Sequence, residues 1–258
     1  NQYTFVRNSQ LNSEDQVHVV LLEMEGGLVR ILARLAGFNF RDAKLIGRAA
    51  QSPDCEGDPR NPIHSGLLIN SNALPPFGAG AFPKVKVSGA ERAEAAMLLR
   101  TWHFPLTLTS EGYRVVKQSA EASEIYKRGI GDGDLWAFGS GLHVLEDSFS
   151  HSGKGSREFF DPVRNVYAQY GHPDERGGLF DASTDEPDMY PLLAIEAAAA
   201  TFSALLEFRS QNDPSFTFNE FAARWEDYSR APILKFIKSS REGRLEWLGN
   251  AHIYLDSE

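Results

Sequence analysis

Apolar side chains recur at helical spacing along most of the chain, and residues that cap helices stand at the starts of these stretches. Ser13 and Gln16 resemble a capping box, and the apolar positions that follow predict a helix over 17–35. Asn39 is a suitable N-cap for a second helix that ends at about Ala50. The N-terminal part of the chain is therefore predicted to be helical.

The helical pattern resumes after a long irregular segment. Residues 52–82 are rich in Pro, Gly, Asn and Ser, which predicts a loop of a length that is usually functional. Ser88 and Glu91 form a second capping-box pattern, and a helix is predicted from there to about Trp102. Strand-like alternation is nearly absent, and 85–87 is its best short example. Further helices are predicted over 111–128, 135–149, 187–209, 219–228 and 231–247.

This succession of helices favours an all-α fold in one domain that spans residues 1–258. A chain of this length can bury a large core, so we expect a helical bundle with long functional loops on one side. The aromatic-rich region 213–258 is predicted to form two helices that close the bundle, with a partner surface as the alternative.

Composition and charge exclude several classes of protein. Hydrophobic residues make up 42% and charged residues 24%, which excludes a disordered chain, a collagen-like chain and a coiled-coil rod. The single cysteine, Cys55, excludes a disulfide framework and a cysteine-based zinc finger. A net charge of −9 argues against tight binding of duplex DNA, because phosphates need clustered Lys and Arg. It leaves open an enzyme that holds phosphate through metal ions.

The hydropathy pattern does not predict a transmembrane segment. No stretch reaches the roughly 18 to 20 apolar residues that a membrane span needs. The most apolar run, 197–206, is interrupted by Thr201 and Ser203 and predicts a packed helix. The chain begins with Asn1 rather than Met, which is consistent either with removal of a leader or with trimming of the chain.

The clearest chemical motif is His143-x3-Asp147-x3-His151. Residues four apart lie on one face of a helix, so His143 and Asp147 point the same way, and His151 joins them if the helix persists. Two imidazoles and a carboxylate suit zinc, whose N and O ligands lie at about 2.0–2.2 Å. An ordinary hydrogen-bonded pair is the alternative. Gly139 and Gly141 each cost about 1 kcal/mol against alanine, which indicates that another element packs closely there.

Several further histidines and an aspartate are candidate ligands, although each alone is typical of an ordinary polar residue. His18 lies in the first helix, Asp54 lies where the second helix meets the long loop, and His103 ends a helix. His172 is placed in a loop, while His64 and His252 are predicted to be exposed or structural.

The order of these residues resembles that of the zinc-dependent phospholipase C and single-strand nuclease family, in its bacterial members. The phrase over 142–151 is the most specific part, and 35–54 upstream and 171–194 downstream add weaker matches. The resemblance covers about residues 18–200. It implies an all-helical fold around a metal cleft, two or three zinc ions, and hydrolysis of phosphodiesters or phosphomonoesters.

The resemblance also implies a role for each ligand. One zinc would be held by Asp54, His103, His143 and Asp147. Asp147 would bridge to a second zinc, which would also take His18. Classical members complete that second site with a terminal tryptophan, whereas this chain begins with Asn1, so the site is either binuclear or completed by another group.

A third zinc would be held by His151 and His172 together with one carboxylate. The family commonly places an acidic residue four positions after the last histidine, but here that position is Arg176. Asp185 is the favoured replacement because Pro187 follows it. Asp174, Glu175 and Asp181 are the alternatives.

Together these features predict a phosphoesterase, in which a metal-bound hydroxide hydrolyses a phosphodiester as in phospholipase C. Asp54 is the predicted catalytic residue, because it can orient the attacking water. Glu146 either orients a metal ligand or is a solvated helix residue, and the solvated interpretation is favoured. A single-strand nuclease or nucleotidase, a metal enzyme with a non-phosphate substrate, and a protein whose metal only holds helices together are the alternatives.

The expected partner is a phospholipid or a small phosphoester rather than duplex DNA. The apolar loop 66–82 is predicted either to touch a membrane surface transiently or to cover the core. The resemblance favours a secreted or periplasmic location.

Overall fold

Helices dominate the part of the chain that the computed structural model describes, which comprises residues 26–55, 58–61, 88–161, 166–173, 187–225, 230–240 and 242–248. The helices are α1 (Val29–Leu35), α2 (Phe40–Gln51), α3 (Gly89–Trp102), α4 (Ala120–Asp132), α5 (Leu135–Ser150), α6 (Pro191–Asn212), α7 (Phe218–Arg224), α8 (Arg230–Ile237) and α9 (242–248). Two antiparallel hairpins complete it, β1 (Leu106–Thr109) with β2 (Gly112–Val115) and β3 (Gly155–Asp161) with β4 (Val166–Pro173). The predicted, mostly all-α fold is confirmed.

Side-chain caps fix the starts of the helices that lead into the site. Asn39 accepts a hydrogen bond from the backbone N–H of Asp42 and begins α2. Ser88 and Glu91 form the predicted capping box at the start of α3. Asp134 accepts from two backbone N–H groups in the first turn of α5. These caps satisfy N–H groups that have no partner within the helix.

Helix α5 lies between α2 and α4, and two glycines permit this close packing. A Cβ atom at Gly139 would lie 2.6 Å from the carbonyl oxygen of Ile46 in α2. A Cβ atom at Gly141 would collide with the backbone of Tyr126 in α4. The close approach predicted at both glycines is therefore confirmed.

One large hydrophobic core joins most of the helices. Phe138, Phe202, Phe236 and Leu205 are fully buried in it and belong to α5, α6 and α8. Burial of each such side chain contributes about 1.5–3 kcal/mol. A second, smaller core, which includes Leu99 and Phe104, is formed between α3 and the hairpin of β1 and β2. The position of α5 at the centre of the large core makes it a rigid support for the residues that it presents.

Helix α6 combines a core position with a bilayer-like composition. By length and composition alone it could cross a membrane, since its most apolar window has a mean hydropathy of 1.4. Half of that window is buried inside the protein. The run 197–206 lies within this helix and contributes several side chains to the core. The prediction of a packed helix there is confirmed.

Two predicted helices differ from the structure. The helix predicted over 111–128 is wrong in its first part, because residues 112–115 form β2 and α4 begins after the Ser119 cap. Gly112 has a φ of 98°, and this left-handed backbone turns the chain into the hairpin. The helix predicted over 231–247 is two helices. The Ser239 hydroxyl bonds the Lys235 carbonyl at the end of α8, and the Ser240 hydroxyl accepts from the N–H of Gly243 in α9.

Candidate metal site

Three buried side chains from three separate elements meet beside α5. Asp54 ends the short 3-10 turn Ser52–Asp54 that follows α2, His103 is the C-cap of α3, and His143 lies in the middle of α5. Each offers one ligand atom, and these atoms all lie within 4.8 Å of one another. The side chains are 7%, 3% and 0% exposed. This group could hold a metal ion.

Asp147 lies one helical turn after His143 and completes what we call the histidine cluster: Asp54, His103, His143 and Asp147. Its Oδ2 atom is 3.0 Å from Nδ1 of His103 and 3.3 Å from Nε2 of His143. Nδ1 of His103 lies 3.1 Å from Nε2 of His143 and 3.7 Å from Oδ1 of Asp54. Tetrahedral ligands of zinc at about 2.1 Å are separated by about 3.4 Å. The spacing within the cluster therefore resembles that of a ligand set.

The hydrogen bond on the outer side of His103 fixes its tautomer. Nε2 of His103 lies 2.8 Å from the carbonyl oxygen of Arg60, which can only accept, so Nε2 carries the hydrogen. In a neutral ring, Nδ1 then presents its lone pair to the cluster, where it faces the carboxylate oxygen of Asp147. Two electron-rich atoms at 3.0 Å need a proton or a cation between them.

Burial determines the charge of the two imidazoles. It lowers the pKa of His103 and of His143 below the ordinary value, because water is excluded from both rings. Nearby carboxylates act in the opposite direction but are the smaller influence. Both rings are therefore neutral near pH 7 and able to donate a lone pair to a metal.

The carboxyl group of Asp54 also indicates that a cation belongs here. Its Oδ2 atom is buried and has no hydrogen-bond partner among the described residues. Nδ1 of His143 lies 3.9 Å from it, too far for a hydrogen bond. Buried carboxylates are normally paired or bind metals. The residues present therefore fit a bound divalent ion.

A short segment, 58–61, holds two members of the cluster from outside, and the sequence pattern did not reveal it. The side-chain amide of Asn61 donates to the backbone carbonyl of Asp54 at 2.7 Å, and the Arg60 carbonyl accepts from His103. The Arg60 guanidinium binds both carboxylate oxygens of Asp58 and lies over the ring of Trp102. The Asp-Pro-Arg-Asn turn at 58–61 was the only local signal.

His151 reaches the edge of the cluster although α5 has already ended. It is the C-cap of α5, and its N–H still bonds the carbonyl of Asp147. Its Nε2 atom lies 3.9 Å from Oδ2 of Asp147, and its ring packs on Phe104. The predicted common face of His143, Asp147 and His151 is therefore present.

The remaining predicted ligands are placed only in part. His172 lies in strand β4, so the prediction of a loop there is wrong; backbone pairing with β3 extends the chain to Pro173. His18 and Asp185 lie outside the described residues, as do Asp174, Glu175, Asp181, Asn1 and the loop 66–82.

The sequence interpretation of Glu146 as a solvated helix residue is wrong. Some of its side chain is accessible, but the Oε2 atom is buried, and Oε1 accepts a hydrogen bond from the Thr201 hydroxyl of α6 at 2.7 Å. Burial raises the pKa of Glu146 to about 8. Because α6 covers this side of α5, the carboxyl group is withdrawn from water.

No family model matches the chain, and no curated protein or solved structure was found to match it.

Proposed function

We propose that the protein is a zinc-dependent phosphoesterase that hydrolyses a phosphodiester in the manner of phospholipase C. The observation that supports this most directly is the histidine cluster, in which Asp54 and two neutral imidazoles offer ligand atoms within 4.8 Å of one another. Asp147 adds a carboxylate oxygen 3.0 Å and 3.3 Å from nitrogen atoms of those two imidazoles. These are the donor types that zinc takes in hydrolytic sites. Manganese and iron accept the same donors, so the metal is part of the test.

In this proposal Nδ1 of His103, Nε2 of His143 and one oxygen each of Asp54 and Asp147 hold one ion. When bound, zinc supplies a Lewis acid that polarises a phosphoryl oxygen and lowers the pKa of a water molecule. The carbonyl of Arg60 keeps the lone pair of His103 directed inward, and Asn61 holds the backbone of Asp54. The second carboxylate oxygen of Asp54 is then available to orient the attacking water and to take its proton. Further ions would need His18, His151, His172 and Asp185.

The first test is the metal content of the purified protein by elemental analysis, followed by hydrolysis of bis(p-nitrophenyl) phosphate. We expect at least one equivalent of zinc per chain, activity that a chelator removes, and activity that added zinc restores. Asp54→Asn keeps the shape of the side chain but not its basicity, and should lower kcat more than it lowers zinc content. A protein without metal after incubation with zinc would contradict the proposal.

A structural metal site is the second candidate, and the deep burial of the cluster favours it. His143 is fully enclosed and His103 nearly so, as is typical of closed sites that hold elements together. In that case zinc should raise the midpoint of thermal unfolding while no phosphoester is hydrolysed. Activity that is lost with the chelator and regained with zinc would exclude this candidate.

A further inference from the structure

The N-terminal helical hairpin concentrates positive charge in an otherwise acidic protein. Residues 28–50 contain five basic side chains and one acidic side chain, a net charge of +4, whereas the whole chain carries −9. Three of the five cations, Arg41, Lys44 and Arg48, are exposed on α2. The rest of the chain must therefore carry −13, so the charge is strongly uneven.

These cations share one face of α2. Phe40, Lys44 and Arg48 follow one another at four-residue spacing, and Arg41 lies beside them, so the four span about 100° of the helix. The opposite side of α2 is buried against the core through residues that include Ala43, Ile46 and Ala50. We call Phe40, Arg41, Lys44 and Arg48 the basic face.

An exposed aromatic ring stands at one end of the basic face. Phe40 is 38% exposed, the guanidinium carbon of Arg30 lies 4.6 Å from its ring centre, and the Lys44 ammonium lies 5.9 Å away. Arg30 is held there because α1 packs closely on α2 at Gly47, where a Cβ atom would lie 3.1 Å from the Cβ of Arg30. The ring is thus accessible and flanked by two cations.

Within the described part of the chain, the cations of the basic face have no acidic partner. No acidic side chain in the described ranges forms an ion pair with Arg41, Lys44 or Arg48. By contrast, exposed Arg128 is paired with Glu124 and Lys117 with Glu196. As far as the described residues extend, the charge of the basic face is therefore available to an external anion.

We propose that the basic face docks on the surface of an anionic lipid bilayer. A helix that lies along such a surface places its cations at the lipid phosphates and an exposed aromatic ring at the headgroup boundary. A single-stranded nucleic acid needs several stacking rings along a basic groove, whereas the basic face offers one ring on a convex helix. The inference does not depend on the metal cluster, because docking involves no hydrolysis.

The test is flotation of the full chain with vesicles of phosphatidylcholine alone and with vesicles that also contain phosphatidylglycerol. We expect binding to the second vesicles only, and a steep loss of binding as salt is added. The variant Arg41→Glu, Lys44→Glu, Arg48→Glu should bind at least about a hundredfold more weakly, since each lost cation contributes about fivefold at an anionic surface and the new carboxylates are repelled by it. Phe40→Ser should weaken binding by a smaller factor and leave the salt dependence unchanged.

A variant with the same change in net charge distinguishes a specific effect of the basic face from a general effect of net charge. Lys127→Glu, Arg128→Glu, Lys238→Glu changes three exposed cations elsewhere and should bind almost as the wild type does. Circular dichroism should show the same helix content in both triple variants, because all six residues are exposed.

Four results would overturn the proposal. They are equal binding to neutral and anionic vesicles, unchanged binding by the basic-face variant, an equal loss in the charge-matched variant, and tighter binding to single-stranded DNA than to the anionic vesicles. Because the assay measures association alone, failure of the phosphoesterase proposal and failure of this one give different results.

Discussion

Two adjacent carboxyl groups on α5, those of Asp147 and Glu146, have opposite surroundings. Asp147 points into the histidine cluster and lies within 4 Å of nitrogen atoms of His103, His143 and His151. Glu146 points toward α6, where it accepts a hydrogen bond from the hydroxyl of Thr201. One residue along a helix is a rotation of about 100°, which is enough to place the two groups in different environments.

The difference indicates where a cation and where a proton should reside. Around Asp147, neutral imidazoles present lone pairs, which a metal ion could satisfy together with the carboxylate. Around Glu146 the described residues provide one hydroxyl donor and no base. The carboxyl group therefore avoids the cost of a buried charge by keeping its proton, in line with its pKa of about 8. Similar burial thus favours a cation on one face and a proton on the other.

Asp147→Asn should have the largest effect on this contrast. The amide keeps the size of the side chain but removes the charge that faces both imidazoles, so we expect loss of at least one metal equivalent and a fall in kcat/KM of about a hundredfold or more. Elemental analysis and phosphodiester hydrolysis measure both. Asp132→Asn, the same change at an exposed position at the end of α4, should alter neither. Full metal content and activity in Asp147→Asn would refute the ligand assignment.

Asn61→Ala should have the next largest effect, because it removes the donor that holds the backbone carbonyl of Asp54. Loss of a partner that orients a ligand typically lowers metal affinity about 10–100-fold. Competition with a fluorescent zinc chelator measures the affinity. The matched control is Asn212→Ala, whose amide bonds the carbonyl of Ile130 far from the cluster and whose loss should lower stability only. An equal zinc affinity in wild type and Asn61→Ala would show that the 58–61 segment does not position Asp54.

The sequence was sufficient for the parts of the molecule that depend on local periodicity and on residue type. The caps at Asn39 and Ser88 and the helix over 135–149 follow from local rules, and the structure confirms them. The close packing at Gly139 and Gly141 was predictable because glycine in a helix is costly without a reason. The grouping of Asp54 with distant histidines came from a resemblance in residue order.

Features that depend on tertiary contacts were not predictable from local patterns. The environment of Glu146 depends on α6, which is distant in sequence, and its periodicity alone suited a solvated position. The role of Arg60 toward His103 uses a backbone carbonyl, which every residue type has. Strand β4 around His172 exists through its pairing with β3, so the local pattern there gave no clear signal.

Glu146→Gln should change how the stability of the protein depends on pH, and this tests the surroundings of Glu146. The folded-state pKa of about 8 lies above the ordinary 4.5, so the folded protein binds more protons than the unfolded chain between these values. Glu146 therefore makes its whole contribution to the unfolding free energy of the wild type below about pH 4.5. That contribution is lost as the pH rises toward 8. Glutamine does not titrate, so the variant lacks this loss of stability. Relative to the wild type, its unfolding free energy should therefore rise by on the order of a few kcal/mol between pH 4.5 and pH 8.

Urea unfolding of chelated samples across the pH range measures that difference. Metal content of Glu146→Gln should remain that of the wild type, in contrast to Asp147→Asn. A constant difference in stability at all pH values would mean that the folded protein does not keep Glu146 protonated.

Thr201→Val should have the smallest effect, and it tests the α6 side of the contrast alone. Valine keeps the shape of the fully buried threonine but removes the hydroxyl that donates to Oε1 of Glu146. Since that bond lowers the pKa of the carboxyl group, its loss should raise the pKa above 8 and destabilise the protein by about 1 kcal/mol while the group is protonated. Above about pH 8 the loss of stability should be larger, because the bond that is removed then has a charged acceptor.

Urea midpoints on both sides of that pH give the two values. Ser203→Ala, on the exposed side of α6, should leave both midpoints unchanged. A cost that does not depend on pH would mean that the hydroxyl serves packing rather than the ionisation of Glu146.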